Sequence, residues 1–124
     1  MKRIALALSV LALFCFATGA MAVDQAAISK NVDEIVAGIE SGTDATSFKA
    51  DSVEPYAFIM QEDGQMLAHP SLTGKSLKEV AGPVYEALLQ ATPEGVWVEY
   101  EWKGKMKHTY ARKTSSNLIV GSGY

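Results

Sequence analysis

Two histidines and five tyrosines are the side chains of this sequence best suited to directed hydrogen bonding near neutral pH. His69 stands directly before Pro70 at the end of an apolar run, where a chain leaving a sheet can aim an imidazole and backbone amides into a cavity. Its other use is a hydrogen bond to a loop carbonyl. His108, near Tyr110, serves either as a ligand contact or as a satisfied histidine at a core rim. Tyr56, Phe58, Tyr100, Trp102 and Tyr110 combine apolar wall with phenolic donors, the mixture that small-molecule pockets use and that ordinary core packing also uses. Glu99 and Glu101 share one face of a strand, and with Lys107 expected opposite Glu101 they read as a solvated outer face. Neither an H-x-x-E-H spacing nor a G-x-S-x-G elbow is present, and Gly121-Ser122-Gly123 lies at the end of the chain with no helix after it to offer amides to a phosphate. His69 and Asp63 could give two metal ligands, which do not make a site. The expectation is a protein without enzymatic activity, cofactor or metal.

The elements that must position these residues follow from periodicity. Ile28, Val32, Ile35, Val36 and Ile39 form one stripe of a helix over Ala26 to Glu40, with Gly42 as its stop. Residues 43–54 read as a connecting segment. Tyr56–Met60 and Gln65–His69, about the turn Glu62-Asp63-Gly64, form a hairpin ended by Pro70. Residues 70–93 make a crossover with one helical turn around Leu77 to Val80 and a short helix carrying Val84, Leu88 and Leu89. Three strands close the chain: Gly95–Trp102, Met106–Lys113 and Leu118–Tyr124. Pairing Trp102 with Met106 across Lys103-Gly104-Lys105 puts Val98, Tyr100, Trp102, Met106, His108 and Tyr110 on one face. Slipping by one residue pairs Tyr100 with Lys107 and brings charge to the apolar side, so the first register is expected. The order of elements predicts an α+β, PAS-like domain: a five-stranded antiparallel sheet with an N-terminal helix and a helical crossover, the helices mostly to one side.

The chain of 124 residues carries 11 Lys+Arg against 14 Asp+Glu and is 48% hydrophobic, which fits one folded domain. An acidic balance with no basic stripe argues against nucleic-acid binding. Residues 1–22 have the three parts of a secretory signal peptide: Met1-Lys2-Arg3, the apolar run Ile4 to Ala17, and small residues up to Ala22, after which cleavage is expected. The apolar run of roughly 14 residues falls short of the about 20 a membrane-spanning helix needs. Cleavage removes two basic residues and Cys15, shifting the balance from -3 to -5 and leaving a domain of residues 23–124 without a thiol.

Read in order, Tyr56-Ala57-Phe58-Ile59-Met60, Asp63-Gly64, Leu67-Ala68-His69-Pro70, Gly74-Lys75-Ser76-Leu77, Trp97-Val98-Glu99-Tyr100-Glu101-Trp102 and Gly121-Ser122-Gly123-Tyr124 resemble the single Cache domain, the extracytoplasmic PAS-like sensor module of bacterial chemoreceptors and sensor kinases. The resemblance spans residues 55–124. It implies a pocket between sheet and crossover for a small carboxylate of the acetate, propionate, pyruvate or lactate type. His69 and Pro70 would border that pocket, Tyr100 would lie on its sheet wall, and the 71–76 loop would be a lid offering amides to the carboxylate. Together with the aromatic face, the expected ligand-binding set is Phe58, His69, Pro70, Tyr100, His108 and Tyr110. No arginine reaches that face other than Arg112 near the strand end, so tyrosine hydroxyls, histidine and loop amides are expected to meet the anion. The chain ends where a receptor would continue, so a free module in the periplasm or secreted is expected, acting in signal transduction. The alternative is a ligand-free interaction module that docks on a membrane sensor or forms a homodimer.

Overall fold

A computed structural model describes residues 24–124. The signal-peptide expectation for residues 1–22 lies outside them. Helix α1 spans Gln25–Glu40; Asp24 caps it by accepting from the Ala27 amide at 3.1 Å, and its apolar stripe buries Ile28, Val32, Ile35 and Val36. Gly42, at φ +109°, turns the chain out of the helix. Two short 3₁₀ turns, Ala45–Ser47 and Ala50–Ser52, occupy the connecting segment. Strands β1 (Ala57–Gln61) and β2 (Met66–Ala68) form the hairpin, followed by α2 (Leu77–Val80) and α3 (Gly82–Leu88). Strands β3 (Val96–Trp102), β4 (Lys105–Lys113) and β5 (Leu118–Gly123) complete an antiparallel sheet of order β2-β1-β5-β4-β3. The expected five-stranded α+β architecture of the PAS-like type is what the chain forms.

The helices lie on both faces of this sheet rather than mostly on one. Side chains alternate along each strand, and both alternations are apolar in β1 and β5. Ala57, Ile59 and Val120 pack with Val32, Ile35 and Val36 of α1, whereas Phe58, Met60 and Ile119 pack with Leu77, Val84 and Leu88 of the crossover. A central strand buried on both faces reads as a continuous apolar run, and Tyr56-Ala57-Phe58-Ile59-Met60 is one.

The β3–β4 register also differs from the expected one. Trp102 pairs with Lys105, Tyr100 with Lys107, Val98 with Thr109 and Glu99 with His108. The turn is the two residues Lys103 and Gly104, both at positive φ (55° and 81°), the primed geometry whose twist matches a hairpin. One face of the hairpin therefore carries Val98, Tyr100, Trp102, Lys107 and Thr109. The other carries Trp97, Glu99, Glu101, Met106, His108 and Tyr110. The argument from charge failed because the first of these faces is partly the rim of a cavity, where the half-buried Lys107 sets its ammonium group over the Tyr56 ring.

Candidate functional site

A cavity opens between the sheet and the crossover, walled by Phe58, Met66, Leu77, Val84 and Leu88 and closed by Tyr56, His69, Tyr100 and Trp102. The cavity itself is small, about 20 Å³, room for about one water, and it widens into a mouth open to solvent, so an occupant of several heavy atoms has to lie partly in that mouth. Two small residues of β5 shape it. Gly121 lies beneath the Phe58 ring, which occupies the space a Cβ would need. The buried Ser122 hydroxyl is 2.8 Å from the Tyr56 carbonyl and 3.1 Å from that of Pro55, tying the start of β1 to β5. Gly121 and Ser122, silent as an anion motif, thus seat Phe58 and the start of β1, which carry part of the cavity wall.

Three polar side chains, Tyr56, His69 and Tyr100, stand in the lining, and Lys107 lies beside one of them. Backbone amides of Ser71 and Leu72 both donate to His69 Nδ1, at 3.0 and 3.1 Å. A nitrogen that accepts two hydrogen bonds carries no proton, so the proton sits on Nε2. The ring packs edge-on against Tyr56 and Trp102, with centroids 5.4 and 6.4 Å away. Burial first, then the ammonium groups of Lys103 and Lys107, push the His69 pKa down to about 4, so the imidazole is a neutral donor at pH 7. Lys107 Nζ lies over the Tyr56 ring, 5.5 Å from its centroid, and burial lowers its pKa. Burial pushes the Tyr100 phenol up to about 12, against the opposing effect of a 2.9 Å hydrogen bond with the fully buried Thr109 hydroxyl. The Tyr56 phenol is raised by burial as well. Among the described residues lining the cavity, none is acidic.

The structure therefore brings Phe58, His69 and Tyr100 together and separates the other three expected residues from them. Pro70 lines a wider, shallower cleft on the far side of His69, with Phe48, Lys49 and Thr73. His108 and Tyr110 face α1 because of the register. His108 Nδ1 is 3.4 Å from Glu99 Oε2 and its ring stacks on Tyr124. Tyr110 donates to the Glu94 carbonyl at 3.1 Å, and Arg112, also on that face, pairs with Asp33 at 3.0 Å. Lys107 and Tyr56 are the groups that sequence reasoning left out of the binding set; the X-Gly turn at Lys103-Gly104 was the signal that would have exposed Lys107. The amides of Ser71 and Leu72 are engaged by His69 instead of open to a carboxylate. Among the described residues, no cluster of three or more His, Cys, Asp or Glu could hold a metal ion, and no helix is long and apolar enough to cross a membrane.

No protein-family model, no curated protein and no solved structure matches this chain.

Proposed function

We propose that this protein is an exported, single-Cache-like sensor domain that binds a small monocarboxylate. The observation that carries the reading is the polarity around the cavity: a neutral imidazole and two phenols in an apolar lining that has no acid, with the ammonium groups of Lys107 and Lys103 over the Tyr56 and Trp102 rings of that lining. Moving a carboxylate out of water requires a compensating charge and donors, and Lys107 is the nearby cation that the sequence reading, which relied on tyrosines, histidine and loop amides, left out. An approaching carboxylate would favour the charged form of Lys107 and so oppose the effect of its burial. The apolar floor of Phe58, Leu77, Val84 and Leu88 suits a short alkyl, keto or hydroxyalkyl tail. Binding rather than catalysis is the role these groups fit, because no nucleophile stands beside a base at the mouth. The apolar start of the sequence supports export to the periplasm or beyond, where a membrane sensor is the partner this reading implies.

The test is thermal unfolding of the purified protein with acetate, propionate, lactate and pyruvate, with the matching amides as neutral controls. A ligand present at 100 times its Kd adds about 2.7 kcal/mol to the unfolding free energy, which a melting curve resolves for a domain of this size. Stabilisation by the acids and not the amides is expected. Equal curves in all conditions would replace this reading with the docking module.

A further inference from the structure

The loop that follows His69 is organised on the imidazole itself. Besides the two amides on Nδ1, the His69 amide donates to Thr73 Oγ1 at 2.9 Å and the Thr73 hydroxyl returns a bond to the His69 carbonyl at 2.9 Å. Farther on, the Gly74 amide reaches the Met66 carbonyl and the Met66 amide reaches Lys75, closing the loop against the outer edge of β2. Leu72 packs on the apolar cluster that includes Phe58, Leu77 and Leu88, so the loop is seated on the same core as the cavity. One aromatic ring thus has one nitrogen committed to the loop and the other protonated, and the ring itself stands in the cavity lining edge-on to Tyr56 and Trp102.

We propose that His69 is a positioning residue that couples ligand binding to closure of the 70–75 loop: Nε2–H donates to the bound carboxylate while Nδ1 holds the loop amides. The coupling rests on the carboxylate reading above and adds to it a mechanism. Donation from Nε2–H to an anion shifts electron density toward Nδ1 and makes it a stronger acceptor, so the bonds from Ser71 and Leu72 tighten when ligand is present. By linkage the relation is reciprocal: a loop held on Nδ1 fixes the tautomer and ring orientation that the ligand meets. The amides therefore reach the carboxylate through the imidazole, in place of the direct contact that the sequence suggested.

The two nitrogens can be separated by substitution. In His69→Asn the amide oxygen takes the place of Nδ1 and the donor toward the cavity is lost; in His69→Gln the side-chain amide reaches the place of Nε2 and the acceptor for the loop is lost. Amide hydrogen exchange at Ser71 and Leu72 reads the loop, and propionate titration reads the site. Without ligand, wild type and His69→Asn should protect both amides and His69→Gln should not. Saturating propionate should slow their exchange in wild type by about fivefold, the lower end of ordinary allosteric coupling, and leave His69→Asn unchanged. Propionate bound by wild type with no change in exchange at Ser71 and Leu72 overturns the coupling and leaves the carboxylate site standing. So does equal protection in His69→Gln and wild type before ligand is added. No binding of propionate, acetate, lactate or pyruvate by wild type overturns both. A further measurement needs no variant: nitrogen NMR of wild type should find the His69 proton on Nε2, and a proton on Nδ1 ends the proposal.

Discussion

On the cavity face of the β3–β4 hairpin, Tyr100, Trp102 and Lys107 stand around empty space; on the α1 face, one residue away along each strand, Trp97, His108 and Tyr110 stand against other side chains. The two faces have similar aromatic and basic content. They differ in what the polar atoms already touch. His108 faces the Glu99 carboxylate and stacks on Tyr124, while Tyr110 and Arg112 converge on Asp33, Glu94 and Pro93. Lys107 and the Nε2 edge of His69 are partly withdrawn from water beside a cavity that has no carboxylate of its own. Residue type does not separate the two faces; the polar groups of one are already paired with carboxylates and carbonyls, and those around the cavity are not matched by an acid in its lining.

The largest effect that tests this contrast comes from two glycines, one serving each face. A Cβ at Gly121 would enter the space of the buried Phe58 ring, and a Cβ at Gly95, whose φ is +106°, would meet the Tyr110 hydroxyl. Overpacking of this kind costs about 1–3 kcal/mol, so Gly121→Ala and Gly95→Ala should both lower the free energy of urea unfolding by that amount. Only Gly121→Ala should also abolish carboxylate binding, because the ring it displaces, Phe58, is part of the cavity wall and Tyr110 is not. Equal loss of binding in both variants would erase the distinction between the faces.

Next in size are two neighbouring residues of β4. Lys107→Met removes the cation opposite the carboxylate and should weaken binding by about 1.5–3 kcal/mol, roughly 10- to 100-fold in Kd by calorimetry. His108→Ala, the adjacent position on the other face, should change Kd less than about twofold, as a residue outside the site does. Tyr100→Phe sharpens the same comparison at smaller scale: losing one neutral hydroxyl donor should cost about 1 kcal/mol of binding. A His108→Ala effect as large as that of Lys107→Met would restore the register expected from the sequence and sink the one described here.

Most of the fold was legible because it rests on local signals. The α1 stripe, the Asp63-Gly64 turn, the single turn at Leu77–Val80 and all five strands come from periodicity and punctuation that tertiary packing then reinforced. The site was legible only in part, and for one reason. Which face a strand residue takes depends on a one-residue choice of register, and here that choice was made by turn geometry at Lys103-Gly104, not by the hydrophobic pattern. Phe58, His69 and Tyr100 did not depend on placing β4 correctly, and the structure brings them together. Lys107, His108 and Tyr110 did depend on it, and all three exchanged faces. Tyr56, recognised among the phenolic donors, stayed out of the expected binding set because its carbonyl is tied to the Ser122 hydroxyl, a contact between residues 66 apart that no local pattern reveals.

The smallest effect is the pH dependence of stability that His69 contributes. The folded-state pKa of His69 is about 4, below the 6.5 of an unperturbed imidazole, because burial and two nearby ammonium groups oppose its protonation. Between those values the unfolded chain binds the proton and the folded chain does not, so this residue makes stability fall as pH drops from about 6.5 toward 4, and it contributes no slope above that window. The effect is moderated by the solvent that still reaches the ring. His69→Asn cannot titrate, yet it keeps an acceptor for the Ser71 and Leu72 amides, so its urea-unfolding free energy should decline less steeply than that of wild type over that interval. The rest of the chain is the same in both proteins and cancels in the difference. Curves that run parallel from pH 7 to 4 would mean that the His69 ring feels neither the burial nor the lysines, and the cavity face would then lose the neutral donor that distinguishes it from the α1 face.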